Sequence, residues 1–258
     1  MVKVSIVTPS YNQAGFIEET IKSILSQKGD FELEYIITDG GSTDGTVDIL
    51  KKYGKRIKWV SEKDDGQADG INKGWKMATG EIIAYLNSDD AYEPGAIQAV
   101  VEFFKKHQKI GWVYGKCRIV DENGKDVRGF IKWYRHLLGR KYNYNKLLTE
   151  NFVAQPSVFL RKKILDDLGY LDIKQHLVMD YEYWLRIGRK YPARFINKYL
   201  ARFRIYKKSK SGSMFVQQFR DELNTAKKYA HGKKWPIFIH TFNFYKIIIS
   251  YKIINKFL

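Results

Sequence analysis

One cysteine is all the chain has in 258 residues. Cys117 therefore closes no internal disulfide, and nothing calls for an oxidising compartment. It lies in a β-like stretch, Tyr114 to Ile119, where a small core residue is expected rather than a nucleophile. No positively charged leader precedes an apolar core at the N-terminus, so the expectation is a cytoplasmic chain without a signal peptide. No internal repeat is visible, nor a linker polar enough to separate two independent domains. An unbroken apolar run of membrane-spanning length is missing too, because Lys246, Lys252 and Lys256 interrupt the closing stretch. The scarcest feature is negative charge late in the chain. Residues 1–124 hold 16 Lys+Arg and 19 Asp+Glu, whereas residues 125–258 hold 29 and 9. The overall +17 thus comes from the second half. A half this basic favours phosphates, acidic lipid headgroups or nucleic acid, the plainer reading being a solvated face.

What is present is a globular composition, 44% hydrophobic and 28% charged, in a chain long enough to bury a core as one large α/β domain. The first half alternates short apolar runs with helical periodicity, the mark of a βα-layered sheet. Val2 to Thr8 is β-branched and strand-like, Pro9 to Asn12 breaks it, and Ile17, Ile21 and Ile24 then share a helical face. Tyr35 to Thr38 reads as a second strand ending at Asp39-Gly40-Gly41-Ser42. Residues 57–60 read as a third strand and 69–78 as a helix. Ile82 to Leu86 is a buried-looking strand that stops at Asn87-Ser88-Asp89-Asp90. In the second half, an Asn-Gly turn at 123–124 predicts a hairpin. Ser157 to Leu160 reads as a strand, Asp180 as a helix start, 195–206 as extended and 215–229 as helical. Residues 130–150 are aromatic and basic with no clean period.

Ligands of parallel α/β sheets sit beyond the carboxyl ends of the strands. Three such ends carry polar groups here: Thr8-Pro9-Ser10-Tyr11-Asn12, Asp39-Gly40-Gly41-Ser42 and Asn87-Ser88-Asp89-Asp90. Adjacent aspartates at a buried strand end repel each other unless a cation or hydrogen-bond donors compensate. Hard oxygen ligands of this kind suit Mg²⁺ or Mn²⁺ bridging to phosphates. An Asp-Asp pair alone serves equally well as a helix cap.

Five ordered blocks add to that pair. Val4 to Asn12, Tyr35 to Thr46, Gly66 to Gly74 and Ala78 to Asp90 closely resemble segments of the family 2 glycosyltransferases, and Met179 to Arg186 resembles that family's catalytic block. The resemblance is dense over residues 2 to about 100 and resumes around 151–211. It implies a GT-A fold: an α/β, Rossmann-like mixed central sheet with helices on both faces, plus a C-terminal helical extension. The implied division is a glycosyltransferase domain over 1–212, with a nucleotide-sugar donor half (1–115) and an acceptor half (116–212). Basic amphipathic helices would follow over 213–258.

The resemblance also implies roles. Thr8, Pro9 and Tyr11 would border the nucleotide base, Asp39 would accept from a uracil-type N–H, and Asp65 would sit at the edge of that pocket. Lys73 would lie near the sugar or phosphates, Asp89 would contact the ribose or donor sugar, and Asp90 would hold Mn²⁺ or Mg²⁺ on the diphosphate. Asp180 would be the general base, favoured over Glu182, which points elsewhere two residues along a helix. Gln155 and Trp184 would lie on the acceptor side. Relatives often have histidine where this chain has Tyr206, which puts a third contact to metal or phosphate in doubt. Arg204 and Lys210 would then supply positive charge. The implied reaction is inverting transfer from a nucleotide-diphosphate sugar, a UDP-hexose or UDP-N-acetylhexosamine, to a glycan or polyprenyl-diphosphate-linked acceptor in surface polysaccharide synthesis.

The tail interleaves aromatic and aliphatic residues with lysine and predicts a peripheral contact with the inner face of an anionic membrane, or else a helix packed on protein. Two other classes compete. A nucleotidyltransferase would need a glycine-rich, arginine-containing loop after the first strand, and none is present. A non-catalytic binder of nucleic acid or anionic glycan would leave Asp39, Asp89, Asp90 and Asp180 unexplained. No nucleic-acid-binding motif is recognisable, so nucleic acid is not expected as a partner.

Overall fold

A computed structural model describes residues 1–207, 209 and 214–254. Eight strands form one mixed sheet in the order β3-β2-β1-β4-β7-β6-β8-β5. Strands β1 (Val2–Ser10), β2 (Phe31–Asp39), β3 (Lys58–Ser61) and β4 (Ile82–Tyr85) are parallel. Strand β7 (Val158–Arg161) runs antiparallel to both β4 and β6 (Trp112–Val120). Strand β8 (Arg194–Arg204) is parallel to β6 and antiparallel to the short β5 (Ala91–Tyr92). The single reversed strand between β4 and β6 restores the common direction. The carboxyl ends of β1, β2, β4, β6 and β8 therefore leave the same edge of the sheet.

Side-chain alternation splits the strands between two cores. Val4, Ile6, Tyr35, Ile37, Ile82 and Val113 pack beneath α1 (Ile17–Leu25), α2 (Thr46–Tyr53) and α4 (Ala96–Lys106). Val7, Ile36, Ile83, Tyr85, Trp112 and Tyr114 face the opposite way. They meet α3 (Gln67–Met77), α6 (Tyr144–Thr149), α7 (Lys163–Leu168) and α8 (Met179–Gly188). Gly74 lets α3 press onto β1: a Cβ there would lie 2.3 Å from Val7 Cγ1. This is the GT-A-like α/β architecture with helices on both faces. Cys117 is a buried core residue, and its thiol is pushed up by burial.

Residues 130–150 form α5 (Gly129–Gly139) and α6. Helix α5 carries Phe130, Ile131, Trp133 and Leu137 exposed to solvent, the reverse of the apolar-inward rule on which a periodicity reading rests. The C-terminal extension is α9 (Phe215–Tyr229) and α10 (Lys234–Ile254). Amphipathic helices were expected there; α9 has an apolar face, whereas in α10 the apolar residues are spread around the helix. Its inner side packs on α6 and α9, while its outer side carries Trp235, Phe238, Phe242, Tyr245 and Ile249 exposed. None of the helices, among the described residues, is long and apolar enough to cross a membrane.

Candidate functional site

The three polar loops predicted to converge do so, because β2, β1 and β4 are neighbours. Gly40 N–H donates to Ser10 O at 2.8 Å, Asn12 N–H to Ser42 Oγ at 2.8 Å, and Leu86 N–H to Val7 O at 2.9 Å. They open on a cavity of about 1560 Å³ that runs on past β6 to α5, α9 and α10. Two buried hydroxyls facing it, Ser10 Oγ and Tyr85 OH, have no hydrogen-bond partner. Buried polar groups are normally paired, which makes both hydroxyls candidate ligand contacts.

On the donor side, Pro9 and Tyr11 line the cavity, and Tyr11 is 62% exposed. Thr8 does not: it is buried among the α1-side residues and accepts from the Tyr35 hydroxyl at 3.1 Å. Asp39 is buried beneath the rim. Its Oδ2 accepts from Gly41 N–H (3.1 Å), Ser42 N–H (2.9 Å) and Ser61 Oγ (2.7 Å), and its Oδ1 from Ser42 Oγ. Oδ1 keeps capacity for one further donor. The acid at the pocket edge is Asp64, not Asp65. Asp65 is exposed, whereas the Asp64 carboxylate lines the cavity against Gly40, where a Cβ would meet its Oδ2 at 2.9 Å. Burial pushes Asp64 up despite the Gly66 N–H that donates to it. Lys73 is committed elsewhere, to Glu62 (3.1 Å), Asp69 (3.4 Å) and Lys63 O (3.1 Å).

The structure separates the two adjacent aspartates. Asp89 is partly exposed and lines the cavity. Asp90 is 2% exposed and is used by the fold: Oδ1 accepts from Arg204 N–H at 2.9 Å and Oδ2 from Asn87 Nδ2 at 3.3 Å. Of the pair, Asp89 is therefore the carboxylate open to the cavity, while Asp90, where the metal was expected, is turned into the fold. Burial raises both, and for Asp90 the neighbouring Asp89 adds to it. Among the described residues no group of three or more His, Cys, Asp or Glu side chains is gathered to hold a metal. One accessible carboxylate still fits Mg²⁺ or Mn²⁺, which bind phosphates through one or two carboxylates and keep waters.

Arg204 is the bracket of this loop rather than a free charge. Its Nε donates to Asp89 O (3.0 Å), Nη1 to Asp121 O (3.1 Å) and Glu122 O (2.9 Å), and Nη2 to Glu19. Four of its five N–H donors are thereby spent. Tyr206 also lines the cavity; its hydroxyl bonds the Asp89 carboxylate and its ring lies 5.0 Å from that of Phe16. Lys210 lies outside the described residues.

On the far side, Asp180 opens α8 and lines the cavity. Its Oδ1 accepts from Tyr181 N–H at 2.8 Å, and burial outweighs that bond and the nearby Arg135 to raise its pKa. Glu182 is turned away, paired with Arg186 at 2.9 Å and with the Tyr229 hydroxyl. Gln155 lines the cavity, donating to Tyr85 O at 2.8 Å and accepting from Asn87 Nδ2 at 3.3 Å. Trp184 does not: it is 1% exposed and stacked on Trp112 at 5.5 Å, one turn into the core from Asp180, so no sugar reaches it. Sequence reasoning missed Glu222 and Arg135. Glu222 on α9 is buried in the cavity wall, and burial first, then the charge of Asp180, push it up to about 8. The available signal was the Asp221-Glu222 pair, the last acids before a stretch that holds lysines and no acid.

An uncharacterized glycosyltransferase of Rickettsia felis is 28% identical over 92% of this chain and 38% of its own length. The chain thus spans about two fifths of that relative. The solved structure of S. aureus TarS 1–349 in complex with UDP-GlcNAc superposes with a TM-score of 0.66 at 18% identity, over 86% of this chain and 66% of that one. The mannosyltransferase PcManGT from Pyrobaculum calidifontis, in complex with GDP-Man and Mn²⁺, gives a TM-score of 0.68 at 19% identity, over 92% and 72%. The profile of glycosyl transferase family 2 matches residues 5–169, and the chain belongs to that family.

Proposed function

We propose that the chain transfers a sugar, with inversion, from a nucleotide-diphosphate donor to an acceptor hydroxyl. The observation that carries the reading is that two carboxylates raised by burial, Asp89 and Asp180, line one cavity. The base of the donor would rest on Pro9 and Tyr11, with Asp39 Oδ1 and Asp64 below it. A uracil N–H suits the one acceptor site left on Asp39, which favours UDP. A divalent cation held by Asp89 would neutralise charge on the departing diphosphate.

The acceptor hydroxyl would give its proton to Asp180 Oδ2, the oxygen not bonded to Tyr181 N–H, as its oxygen forms the new glycosidic bond. The bond from the anomeric carbon to the diphosphate breaks and the nucleotide leaves with the electron pair. A raised carboxylate is the better proton acceptor, because basicity closer to working pH favours the transfer. Direct displacement with a single base inverts the anomeric centre. The acceptor would be a glycan or lipid-linked glycan of a surface polysaccharide. Thermal shift with UDP plus Mn²⁺, set against single-stranded nucleic acid, tests the reading, followed by a panel of nucleotide sugars for hydrolysis or transfer. Stabilisation by UDP and turnover of one sugar are expected. Stabilisation by nucleic acid alone would overturn it.

A further inference from the structure

Helices α5 and α10 both turn apolar side chains outward. On α10, Trp235, Phe238, Phe242, Tyr245 and Ile249 are 56% to 70% exposed. Steps of three and four residues place them in one stripe. On α5, Phe130, Trp133 and Leu137 repeat that spacing at 75%, 58% and 49% exposed. Single exposed apolar residues are ordinary, but contiguous stripes of aromatics mark an interaction surface.

The two helices are pinned to one segment. From α5, the Tyr134 hydroxyl donates to Glu150 at 2.9 Å, and Arg135 Nη2 donates to Asn151 O (3.3 Å) and Val153 O (3.1 Å). From α10, His240 Nδ1 lies 2.8 Å from Leu148 O, and Asn243 Nδ2 donates to Thr149 O at 3.4 Å. Both helices therefore border the same end of the cavity, α5 through Phe130 and Ile131, α10 through Lys246 and Ile247.

Charge selects the occupant. Between Asp126 and Glu150 the sequence has six basic residues and no acid, and after Glu222 it has seven lysines and no acid. A second copy of this face would set positive charge against positive charge with no carboxylate to pair it. Nucleic acid would satisfy the lysines but leave the aromatic stripes in water. A bilayer with anionic lipid satisfies both, taking the rings into the headgroup–acyl boundary while lysines meet phosphates.

We propose that α5 and α10 form a docking face that lays the acceptor end of the cavity on an anionic membrane surface. Resting on the function proposed above, a lipid-carried acceptor hydroxyl then reaches Asp180 from the bilayer side. The test uses the full chain with phosphatidylcholine vesicles, with and without phosphatidylglycerol, their acyl chains brominated. Flotation with the anionic vesicles and quenching of tryptophan fluorescence are expected, the quenching disappearing in W133F/W235F. F238S/F242S, shown folded by thermal melting, should lower partitioning about tenfold or more. The proposal is overturned if the protein does not float, if it partitions equally into neutral vesicles, if quenching survives W133F/W235F, or if F238S/F242S partitions unchanged. It is overturned too if sedimentation shows that F238S/F242S dissolves a dimer built on this face. UDP binding with Mn²⁺, measured without vesicles, reports on the donor site alone, so its failure would fall on the functional reading and leave the docking face standing.

Discussion

Glu34 and Glu222 are both glutamates buried by the fold, one in each half, and they are held in opposite states. Glu34, on β2, is cost by burial, yet bonds from Lys58 Nζ (2.7 Å), Ser5 Oγ (2.6 Å), Thr79 N–H (2.7 Å) and Thr79 Oγ1 (3.0 Å) hold it down to about 2. Glu222 receives one Gln218 bond at 3.3 Å and the Asn151 side chain, and it rises to about 8. Asp39 and Asp180 differ in how they are held: four hydrogen bonds bind the first to its loop and to Ser61, while the second has only backbone donors, Tyr181 N–H and its own. Donor-side acids are fixed in place by donors and build a rigid cradle. Asp180 and Glu222 are instead buried with few donors, which is what proton transfer needs. Asp64, Asp89 and Asp90 are the donor-side exceptions, raised by burial, to which the charge of Asp89 adds at Asp90.

The largest expected effect is on the acceptor side. Asp180→Asn should lower kcat by about 10²–10⁴ while UDP affinity stays within twofold, since the base acts only on the acceptor hydroxyl. Turnover within tenfold of the parent would move the base elsewhere. On the donor side, Glu34→Gln should cost about 2–3 kcal/mol at pH 7 in urea unfolding. Because the folded pKa is depressed, that stability is present above the unfolded value near 4.5 and fades as pH falls towards 2. A penalty that persisted unchanged at pH 2 would break the contrast.

Glu222 carries the opposite sign. A carboxyl raised to about 8 binds its proton in the folded state after the unfolded chain has lost it, so its contribution falls as pH climbs from about 4.5 to 8. Glu222→Gln should flatten the stability–pH curve over that window, and an unchanged curve would remove Glu222 from the account. The smallest effect separates neighbours. Asp64→Ala should weaken UDP binding about tenfold, as expected for losing one hydrogen bond to a charged group, and Asp65→Ala should leave it unchanged.

The donor-half strands and their polar ends were legible because β-branched runs and polar strand ends are local signals, which the adjacency of β2, β1 and β4 converts into one crevice. Side-chain direction was not. Asp64 and Asp65, or Asp89 and Asp90, are indistinguishable as letters; which one faces the cavity depends on where the chain turns after a strand. Arg204 shows the same limit, because its distant partners Glu19, Asp121 and Glu122 claim it before any phosphate does. Trp184 was assigned outward for its chemistry, and Trp112 on β6 draws it into the core instead. The α10 surface escaped periodicity analysis because its apolar residues are spread around the helix, and the α5 surface because its apolar stripe faces solvent.

The division of the aspartate pair is tested most directly by calorimetry of UDP binding with and without Mn²⁺, on Asp89→Asn and Asp90→Asn side by side. The expected result is that Asp89→Asn abolishes the Mn²⁺ dependence, while Asp90→Asn, whose amide oxygen still accepts from Arg204 N–H, retains it. Loss of Mn²⁺ dependence in Asp90→Asn with its retention in Asp89→Asn would contradict the geometry on which the donor site is built.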